Sequence, residues 1–502
     1  MLFNSYEFLF RFLPLVLVLY YILRLTKRQS VINWFLILTS LIFYGNDNSK
    51  NVFLIIASIS INYLFSKSFA GKTQLFKRFL FITAISLNLL VLIYYKYASF
   101  IIEQFVYVGL INSAADYGFS SNKSLPLAIS FFTFQQIAFI VYQYRQSHIV
   151  NSFTTYATSV VFFPHLIAGP LVEYKTLIPQ FASIRKFFML RHYFYLGIFV
   201  FIIGLSKKLL LADSLDNLVQ GLFSKSSLDI LSMSVIEVAI GVIAYSLQLY
   251  FDFSGYTDMA IGLAFFFGIK LPDNFNSPYK SSSLIEFWRR WHISLSNFLR
   301  DYLYISLGGS RFGKIRKYIN LLITMLLGGV WHGAGWNFLI WGAWHGFGLS
   351  VNHIFKDTVF PRLNVNANFI KIFSKYMGVI LTYIFVCIGW IFFKSTSFSQ
   401  AKSILHTLFF NKNYNLNFKS MGEYFMQNSI SLMLVIFIFT LATAMPNSIQ
   451  LRSYIKKNII LSIKYNTKSL FRLYLCSAIL ALLLVLCLAR MAVPQAFIYY
   501  QF

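Results

Sequence analysis

Two short stretches, Glu286-Phe287-Trp288-Arg289-Arg290-Trp291-His292 and Leu326-Leu327-Gly328-Gly329-Val330-Trp331-His332-Gly333, each place a histidine directly after a tryptophan. The chain around them is 58% hydrophobic, so both histidines are expected at or within a membrane. An ionisable side chain is costly at that depth and usually has a function there. The two stretches therefore predict a membrane protein whose chemistry depends on His292 and His332.

The composition of the whole chain supports the membrane assignment. Only 12% of the 502 residues are charged, whereas a soluble globular protein has about 25%. The mean hydropathy is +0.64. The composition therefore indicates a polytopic protein of the lipid bilayer, and the first apolar run, which has no basic leader or cleavage site before it, is expected to be an uncleaved span.

The charge balance is strongly basic, with 43 Lys and Arg against 16 Asp and Glu and a net charge of +27. On a soluble protein this charge would suggest a nucleic-acid partner. In a membrane protein, basic residues collect in cytoplasmic loops and set the topology. Because no nucleic-acid-reading motif is present, nucleic-acid binding is excluded.

Apolar runs long enough, or nearly long enough, to cross a bilayer give the expected topology. They lie at 8–25, 31–45, 52–66, 79–110, 125–142, 194–211, 233–251, 318–352, 376–393, 430–446 and 472–490. Glycines interrupt the run 318–352, which then crosses twice, so about 11–12 crossings are expected. Placing the basic loops in the cytoplasm favours twelve crossings with both termini outside. No linker is visible, so residues 1–502 are expected to form one membrane domain with a catalytic segment at about 245–350.

Two shorter apolar stretches contain helix-breaking residues. Residues 157–170 end in Pro164-His165-Leu166-Ile167-Ala168-Gly169-Pro170, and residues 256–269 follow Ser254-Gly255. Broken helices occur at membrane depth only where they are buried in protein or line a cavity. Both stretches are therefore expected to be half-helices that line a cavity.

The polar residues of 248–301 predict a site, because they lie beside apolar spans. The expected cavity-lining or structural residues are Asp252, Tyr256, Asp258, Asn274, Arg289, Arg290, Trp291, Arg300 and Asp301, together with Trp331 from the second stretch. A buried carboxylate needs a partner. A bend at Gly255 would turn Asp252 and Asp258 inward, and both are expected to pair with the arginines of 289–300.

The histidines are the candidate catalytic residues. A neutral imidazole suits His332 as a general base, although a core histidine bonded to a backbone carbonyl would look the same in sequence. His292 can supply a second group, or it belongs to an interfacial helix anchored by its tryptophans. His345 competes with His332 for the catalytic role. The three histidines do not have the spacing that would place two metal ligands on one helical face, so no metal site is expected. The three cysteines all lie in apolar runs and are expected to be core residues.

These residues resemble the membrane-bound O-acyltransferase superfamily, in particular the bacterial branch that contains the membrane subunit of alginate O-acetylation. The resemblance is carried by the segments 164–170, 250–260, 274–279, 287–294, 298–302, 328–333, 338–346 and 497–502. It implies an all-α membrane fold around a central funnel or tunnel. It also implies that His332 is the catalytic residue and that His292 occupies the second polar position. Glu173 departs from the basic residue expected at its position.

The resemblance implies transfer of an acetyl group from a cytoplasmic thioester such as acetyl-CoA toward a hydroxyl of an extracytoplasmic polysaccharide. The expected setting is a bacterial cytoplasmic membrane, the expected partner is an extracytoplasmic SGNH-type acetyltransferase, and no bound cofactor is expected. An alginate-like exopolysaccharide is the first candidate acceptor, and peptidoglycan is the alternative. A teichoic acid D-alanine transferase fits less well because of the extra C-terminal spans. A transporter or flippase of lipid-linked sugars is the alternative from another class, but the interruptions do not repeat between two halves as transporter folds require.

Overall fold

The computed structural model of this protein describes residues 1–112, 125–145, 152–183, 190–359, 368–410, 429–463, 467–491, 495 and 497–498. These residues form helices and contain no strand, as predicted for an all-α membrane protein. Part of the C-terminal segment 497–502 and parts of the loops 143–193 and 353–375 lie outside the described residues.

The α-helices of the described residues are, in chain order, α1 (Leu13–Leu25), α2 (Gln29–Gly45), α3 (Ser49–Ser68), α4 (Gln74–Leu92), α5 (Ala98–Tyr107), α6 (Ile129–Arg145), α7 (Phe153–Val161), α8 (Phe163–Leu166), α9 (Tyr174–Ala182), α10 (Leu190–Ser206), α11 (Asp216–Phe223), α12 (Ser227–Ser232), α13 (Val235–Phe266), α14 (Leu284–Arg290), α15 (Ile293–Phe298), α16 (Gly313–His332), α17 (Trp336–Ile354), α18 (Asn368–Lys394), α19 (Phe398–Phe410), α20 (Ser429–Thr443), α21 (Ser448–Ile463) and α22 (Thr467–Arg490). Short π-helical turns extend several of them, at Phe8–Phe12, Ile93–Tyr97, Lys207–Ala212, Leu299–Tyr304 and Phe355–Val359.

Several of these helices are long and apolar enough to span a membrane. In the described part of the chain there are seven, or eight if the bent pair α20 and α21 forms one span. They are Phe8–Leu25, Ser49–Ser68, Gln74–Tyr107, His192–Phe223, Val235–Phe266, Ile372–Lys394 and Lys468–Arg490. The chain is thus a multi-pass membrane protein. The higher count of crossings includes α2, α6, α16 and α17, which are shorter or more polar than the seven helices. It stays a prediction, as does the placement of the termini.

The helices group into two compact units. Unit 1 contains residues 1–205, 256–272 and 455–502, and unit 2 contains residues 206–255 and 273–454. Each unit therefore combines segments that are distant in the sequence. The single membrane domain expected over residues 1–502 stays a prediction.

The predicted break at Ser254-Gly255 is wrong. Helix α13 runs without interruption from Val235 to Phe266, so residues 256–269 do not begin as a separate half-helix. One glycine costs a helix only about 1 kcal/mol relative to alanine, and the surrounding helical residues are buried. Packing therefore keeps the helix continuous through Gly255.

The other predicted break is present. Helix α7 ends at Val161, and the four-residue helix α8 begins at Phe163 with Pro164 in its first turn. The backbone then turns so tightly that a Cβ atom on Gly169 would overlap the backbone of His165. Only glycine fits this turn. The expectation that residues 157–170 line a cavity stays a prediction.

Helices α16 and α17 of unit 2 form a hairpin whose backbones touch through glycine. A Cβ atom on Gly329 would overlap the carbonyl oxygen of Phe338, and one on Gly342 would meet the carbonyl oxygen of Met325. Gly346, one turn after Gly342, lies against the Cα atom of Leu322. Small residues at such spacing let membrane helices approach closely. The approach fixes how the side chains at the C-terminal end of α16 meet those of α17.

Replacing Gly329 with alanine is expected to lower the free energy of unfolding by about 1–3 kcal/mol, because the new methyl group has no space beside Phe338. Gly221 in α11 is the matched control, since a Cβ atom there meets nothing within 4 Å. Gly221→Ala should leave stability unchanged or raise it by about 0.5–1 kcal/mol. Thermal denaturation of both detergent-purified variants measures the effect, and equal stability of the two would contradict the close packing of α16 on α17.

Candidate active site

Asn274 holds the backbone around His292. Its Oδ1 atom accepts hydrogen bonds from the backbone N–H of Ser294 at 3.1 Å and from the Ser294 hydroxyl at 2.9 Å, and it lies 3.2 Å from Nδ1 of His292. The backbone N–H of Ile293 donates to the carbonyl oxygen of Asn274 at 2.9 Å. His292 itself has a left-handed φ of 41° between α14 and α15. Asn274 therefore stabilises a turn that a non-glycine residue seldom adopts.

The same contacts fix the protonation of the His292 ring. Because a backbone N–H donates to Oδ1 of Asn274, that atom is an acceptor, and Nδ1 of His292 must be the donor. Nε2 then carries the lone pair of the neutral ring. Burial disfavours the imidazolium and lowers the pKa of His292 to about 3, so the ring is neutral at physiological pH.

The segment that carries Asn274 is itself anchored within unit 2. Arg452 makes an ion pair with both carboxylate oxygens of Asp273, each at 2.8 Å. The side-chain amide of Asn447 donates to Oδ1 of Asn276 at 2.8 Å and to the hydroxyl of Ser277 at 2.9 Å. These bonds hold the loop on both sides of Asn274.

The three candidate histidines belong to one cluster of rings, which we call the Trp-His cluster: His292, Trp331, His332, Trp341, His345 and Trp288. The ring centroids are 6.2 Å apart for His292 and Trp331, 4.9 Å for Trp331 and His332, 4.9 Å for His332 and Trp341, and 4.9 Å for Trp341 and His345. Trp288 lies 5.2 Å from His345. Residues from α14, α16 and α17 thus meet in unit 2 with His292, which lies between α14 and α15. The shared role that the sequence indicates for His292 and His332 stays a prediction.

His332 is the last residue of α16, where Gly333 ends the helix in an extended conformation. Its ring is 6% exposed and packs edge-on against Trp341 and Phe393. His332 therefore lies at a helix end, packed between aromatic rings.

His345 is enclosed more completely than His332. It has no exposed surface, and neither ring nitrogen has a hydrogen-bond partner among the described residues. A Cβ atom on Gly389 of α18 would lie 2.7 Å from its Nε2 atom, so Gly389 makes room for the ring. The indole nitrogens of Trp288 and Trp341 also lack hydrogen-bond partners in the described part of the chain. Polar groups of this kind are unusual in a protein core.

Two arginines of the 289–300 segment form ion pairs with carboxylates of their own segment. Arg290 pairs with Glu286 one turn earlier at 2.7 Å, and Arg300 pairs with its neighbour Asp301 at 2.7 Å. Arg289 is exposed. These are local surface pairs, because each arginine finds a carboxylate on its own segment without leaving water. The expected pairing of Asp252 with them is wrong.

The remaining predicted residues lie in different surroundings. Trp291 is buried in unit 2, with Trp390 at 4.9 Å and Phe275 at 5.1 Å. Tyr256 and Asp258 are buried but belong to unit 1, where Tyr256 stacks on Phe3 at 5.0 Å. The expectation that Tyr256 and Asp258 line a cavity stays a prediction. Within the described residues, no group of three His, Cys, Asp or Glu side chains could hold a metal ion.

Comparison with known proteins identifies the family. The model of the MBOAT, membrane-bound O-acyltransferase, family matches residues 65–398. The chain belongs to this family. It is therefore an O-acyltransferase, and the Trp-His cluster lies within the matched region.

Two relatives extend the match over most of the chain. The acyltransferase is 36% identical over 432 residues to the peptidoglycan O-acetyltransferase of Helicobacter pylori, covering 81% of this chain and 79% of that protein. It is 37% identical over 418 residues to the probable alginate O-acetylase AlgI of Pseudomonas aeruginosa, covering 82% of this chain and 75% of that protein. A teichoic acid D-alanyltransferase of Bacillus subtilis is 26% identical over 248 residues, covering 48% and 60%.

The partner of Asp252 in this acyltransferase is Lys208, which the sequence analysis missed. The Lys208 ammonium lies 2.7 Å from Asp252 and 2.8 Å from Asp213, and its side chain is 1% exposed. One turn before Asp252, the Gln248 amide donates to Asp216 at 2.9 Å. The sequence contained a signal for this ion pair, because a lysine inside an apolar run such as 194–211 needs a buried carboxylate as its partner.

Replacing Lys208 with methionine is expected to lower the free energy of unfolding of the acyltransferase by about 3–5 kcal/mol, because Asp213 and Asp252 would lose the buried ammonium. The control Arg300→Met removes a surface ion pair and should cost about 0.2–1 kcal/mol. Thermal denaturation in detergent compares the two. A Lys208→Met protein as stable as Arg300→Met would show that the buried ion pair does not support the fold.

Proposed function

We propose that this acyltransferase moves an acetyl group from a cytoplasmic thioester, acetyl-CoA, toward hydroxyls of a polysaccharide outside the cytoplasm, across a bacterial cytoplasmic membrane. The observation that carries the proposal is the position of His332 at the end of α16, buried among aromatic rings and linked through them to His292. The names of the two relatives that cover most of the chain support acetyl as the group transferred.

His332 is the proposed catalytic residue. As a general base, its imidazole takes the proton of the acceptor hydroxyl while the hydroxyl oxygen attacks the thioester carbonyl carbon. The C–S bond then breaks, the acetyl group stays on the oxygen, and the thiolate takes up the proton. In the covalent alternative, a nitrogen of the His332 ring attacks the carbonyl carbon first, the C–S bond breaks and the thiol leaves with the proton of the ring. The acetyl-imidazole then passes the acetyl group to the hydroxyl oxygen, and the ring nitrogen takes up the hydroxyl proton. Both routes need a neutral imidazole.

His292 is proposed to orient one of the reacting groups. Asn274 fixes its ring with the Nδ1 hydrogen pointing to the amide oxygen, which leaves Nε2 as an acceptor for a hydroxyl proton. His292 and His332 both pack on Trp331. This arrangement supports a role for both residues in the same reaction step.

The basic charge of the chain supports a cytoplasmic anionic donor. Lys and Arg outnumber Asp and Glu by 43 to 16, and positive loops concentrate on the cytoplasmic side of a membrane protein. Such a surface attracts the phosphates of coenzyme A over long range, in a manner that salt weakens. Donor affinity should therefore fall as ionic strength rises.

The proposed acceptor is an extracytoplasmic polysaccharide, reached either directly or through a partner acetyltransferase of the SGNH type. The two main relatives, named for peptidoglycan and for alginate, are almost equally similar to this chain. An alginate-like exopolysaccharide and peptidoglycan are therefore both retained as acceptors. Mass spectrometry of the surface polymers of cells with and without the gene distinguishes the two by which polymer loses its acetyl groups.

Replacing His332 with alanine is expected to lower polymer acetylation at least about 100-fold, because removing a general base costs about 10²–10⁴ in rate. His345→Ala should cause a smaller loss. His406→Ala is the matched control, since His406 is exposed on α19 and should leave acetylation unchanged. Polymer-bound acetate is measured in cells that express equal amounts of each variant. Near-normal acetylation by His332→Ala would reject the catalytic assignment and favour His345.

Removing His292 and His332 together is expected to cost little more than removing His332 alone, because two residues that act in one step do not contribute independently. The measurement is the initial rate of acetyl transfer by the single and double alanine variants in proteoliposomes. If both single variants keep measurable rates and their losses multiply in the double variant, the two histidines act in separate steps.

A further inference from the structure

Unit 1 contains a second buried polar cluster. It consists of Gln135, Gln136 and Gln143 on α6 and His165 on α8, which we call the glutamine cluster. Each of these side chains is 4% exposed or less. No charged residue belongs to the cluster, so its atoms can offer only neutral hydrogen bonds.

The cluster is only partly satisfied by the protein. The Gln135 amide nitrogen lies 3.1 Å from Nδ1 of His165, and Oε1 of Gln136 accepts from the hydroxyl of Tyr156. In contrast, Oε1 of Gln135, Nε2 of Gln136 and both polar atoms of Gln143 have no hydrogen-bond partner among the described residues. Native proteins rarely bury so many polar atoms without partners unless something else completes their hydrogen bonds.

The residues that carry the cluster are held firmly. The backbone N–H of Phe163, at the start of α8, donates to the hydroxyl of Ser40 at 3.0 Å. The close turn at Gly169 packs directly against His165. Tyr156, which donates to Gln136, stacks on Phe139 with ring centroids 4.0 Å apart. The residues that carry the unsatisfied atoms are therefore fixed in place by contacts within the protein.

The spacing along α6 indicates the shape of the ligand. Gln136 and Gln143 are two helical turns apart and share one face, so their amides are about 10 Å apart along the axis. One water molecule cannot reach both. Because the cluster offers both donors and acceptors and no charge, a matching ligand is an elongated neutral chain that carries amides or hydroxyls.

We propose that the glutamine cluster binds such a neutral, hydrogen-bonding chain. Two kinds of molecule have this chemistry: an amide-bearing arm like pantetheine, and a carbohydrate with its hydroxyl and acetamido groups. The proposal does not depend on the role of His332, because it rests on Gln135, Gln136, Gln143 and His165 alone.

The test titrates the full-length, detergent-purified protein with pantetheine in one arm and with N,N′-diacetylchitobiose in the other, and follows Tm. One of the two compounds is expected to raise Tm with a saturable dependence that yields a Kd. Gln135→Met and Gln143→Met, which keep the side-chain length and remove the amide, should each weaken Kd about tenfold. The arm that responds identifies the kind of chain bound.

Asn88→Met is the matched control, because Asn88 is a buried amide of the same unit that exchanges hydrogen bonds with Asn62 at 2.7 and 3.2 Å. It should lower the Tm of the protein without ligand and leave Kd unchanged. Gln143→Met should keep the ligand-free Tm or raise it, because its amide makes no bond within the protein. If neither compound shifts Tm, or if both glutamine variants bind as tightly as the unchanged protein, the proposal is wrong.

Discussion

The close contact between α16 and α17 is the constraint on which the proposed active site depends. Gly329 and Gly342 have no side chain that would separate the two backbones, so the helices touch along one face. His332 at the end of α16 can then pack on Trp341 near the start of α17, and His345 follows one turn later. Larger residues at these glycines would push the rings apart. The geometry of the Trp-His cluster is thus determined by backbone packing.

The buried polar groups of the protein are of two kinds. Lys208 is surrounded by two carboxylates, and Asn274 uses one oxygen to hold both His292 and Ser294. These groups are satisfied by the protein itself and stabilise the fold. His345 and the glutamine cluster instead keep ring and amide atoms without partners among the described residues. Because buried polar atoms are costly without hydrogen bonds, the second kind of group indicates binding and the first indicates structure.

Hydropathy and motif spacing predicted the helical membrane class, which is confirmed, and a site that includes His292, Asn274 and His332, which stays a prediction. They did not predict the partner of Asp252, because pairing between distant helices depends on which faces meet, and periodicity does not encode this. The sequence suggested Arg290 and Arg300 as ion-pair partners of the buried aspartates. Each of these arginines instead pairs with a carboxylate close to it in the sequence, Arg290 with Glu286 and Arg300 with Asp301. The break expected at Gly255 failed for a similar reason, since buried packing along α13 outweighs the small helix cost of one glycine.

The central claim is that acetyl transfer takes place at His332. The most direct measurement is the position of the thioester carbonyl carbon in an experimental structure of the acyltransferase with a non-hydrolysable acetyl-CoA analogue. The account predicts this carbon within about 3–3.5 Å of a His332 ring nitrogen, or of an acceptor hydroxyl that His332 contacts. A well-ordered thioester bound away from His332, for example beside His165, would contradict it.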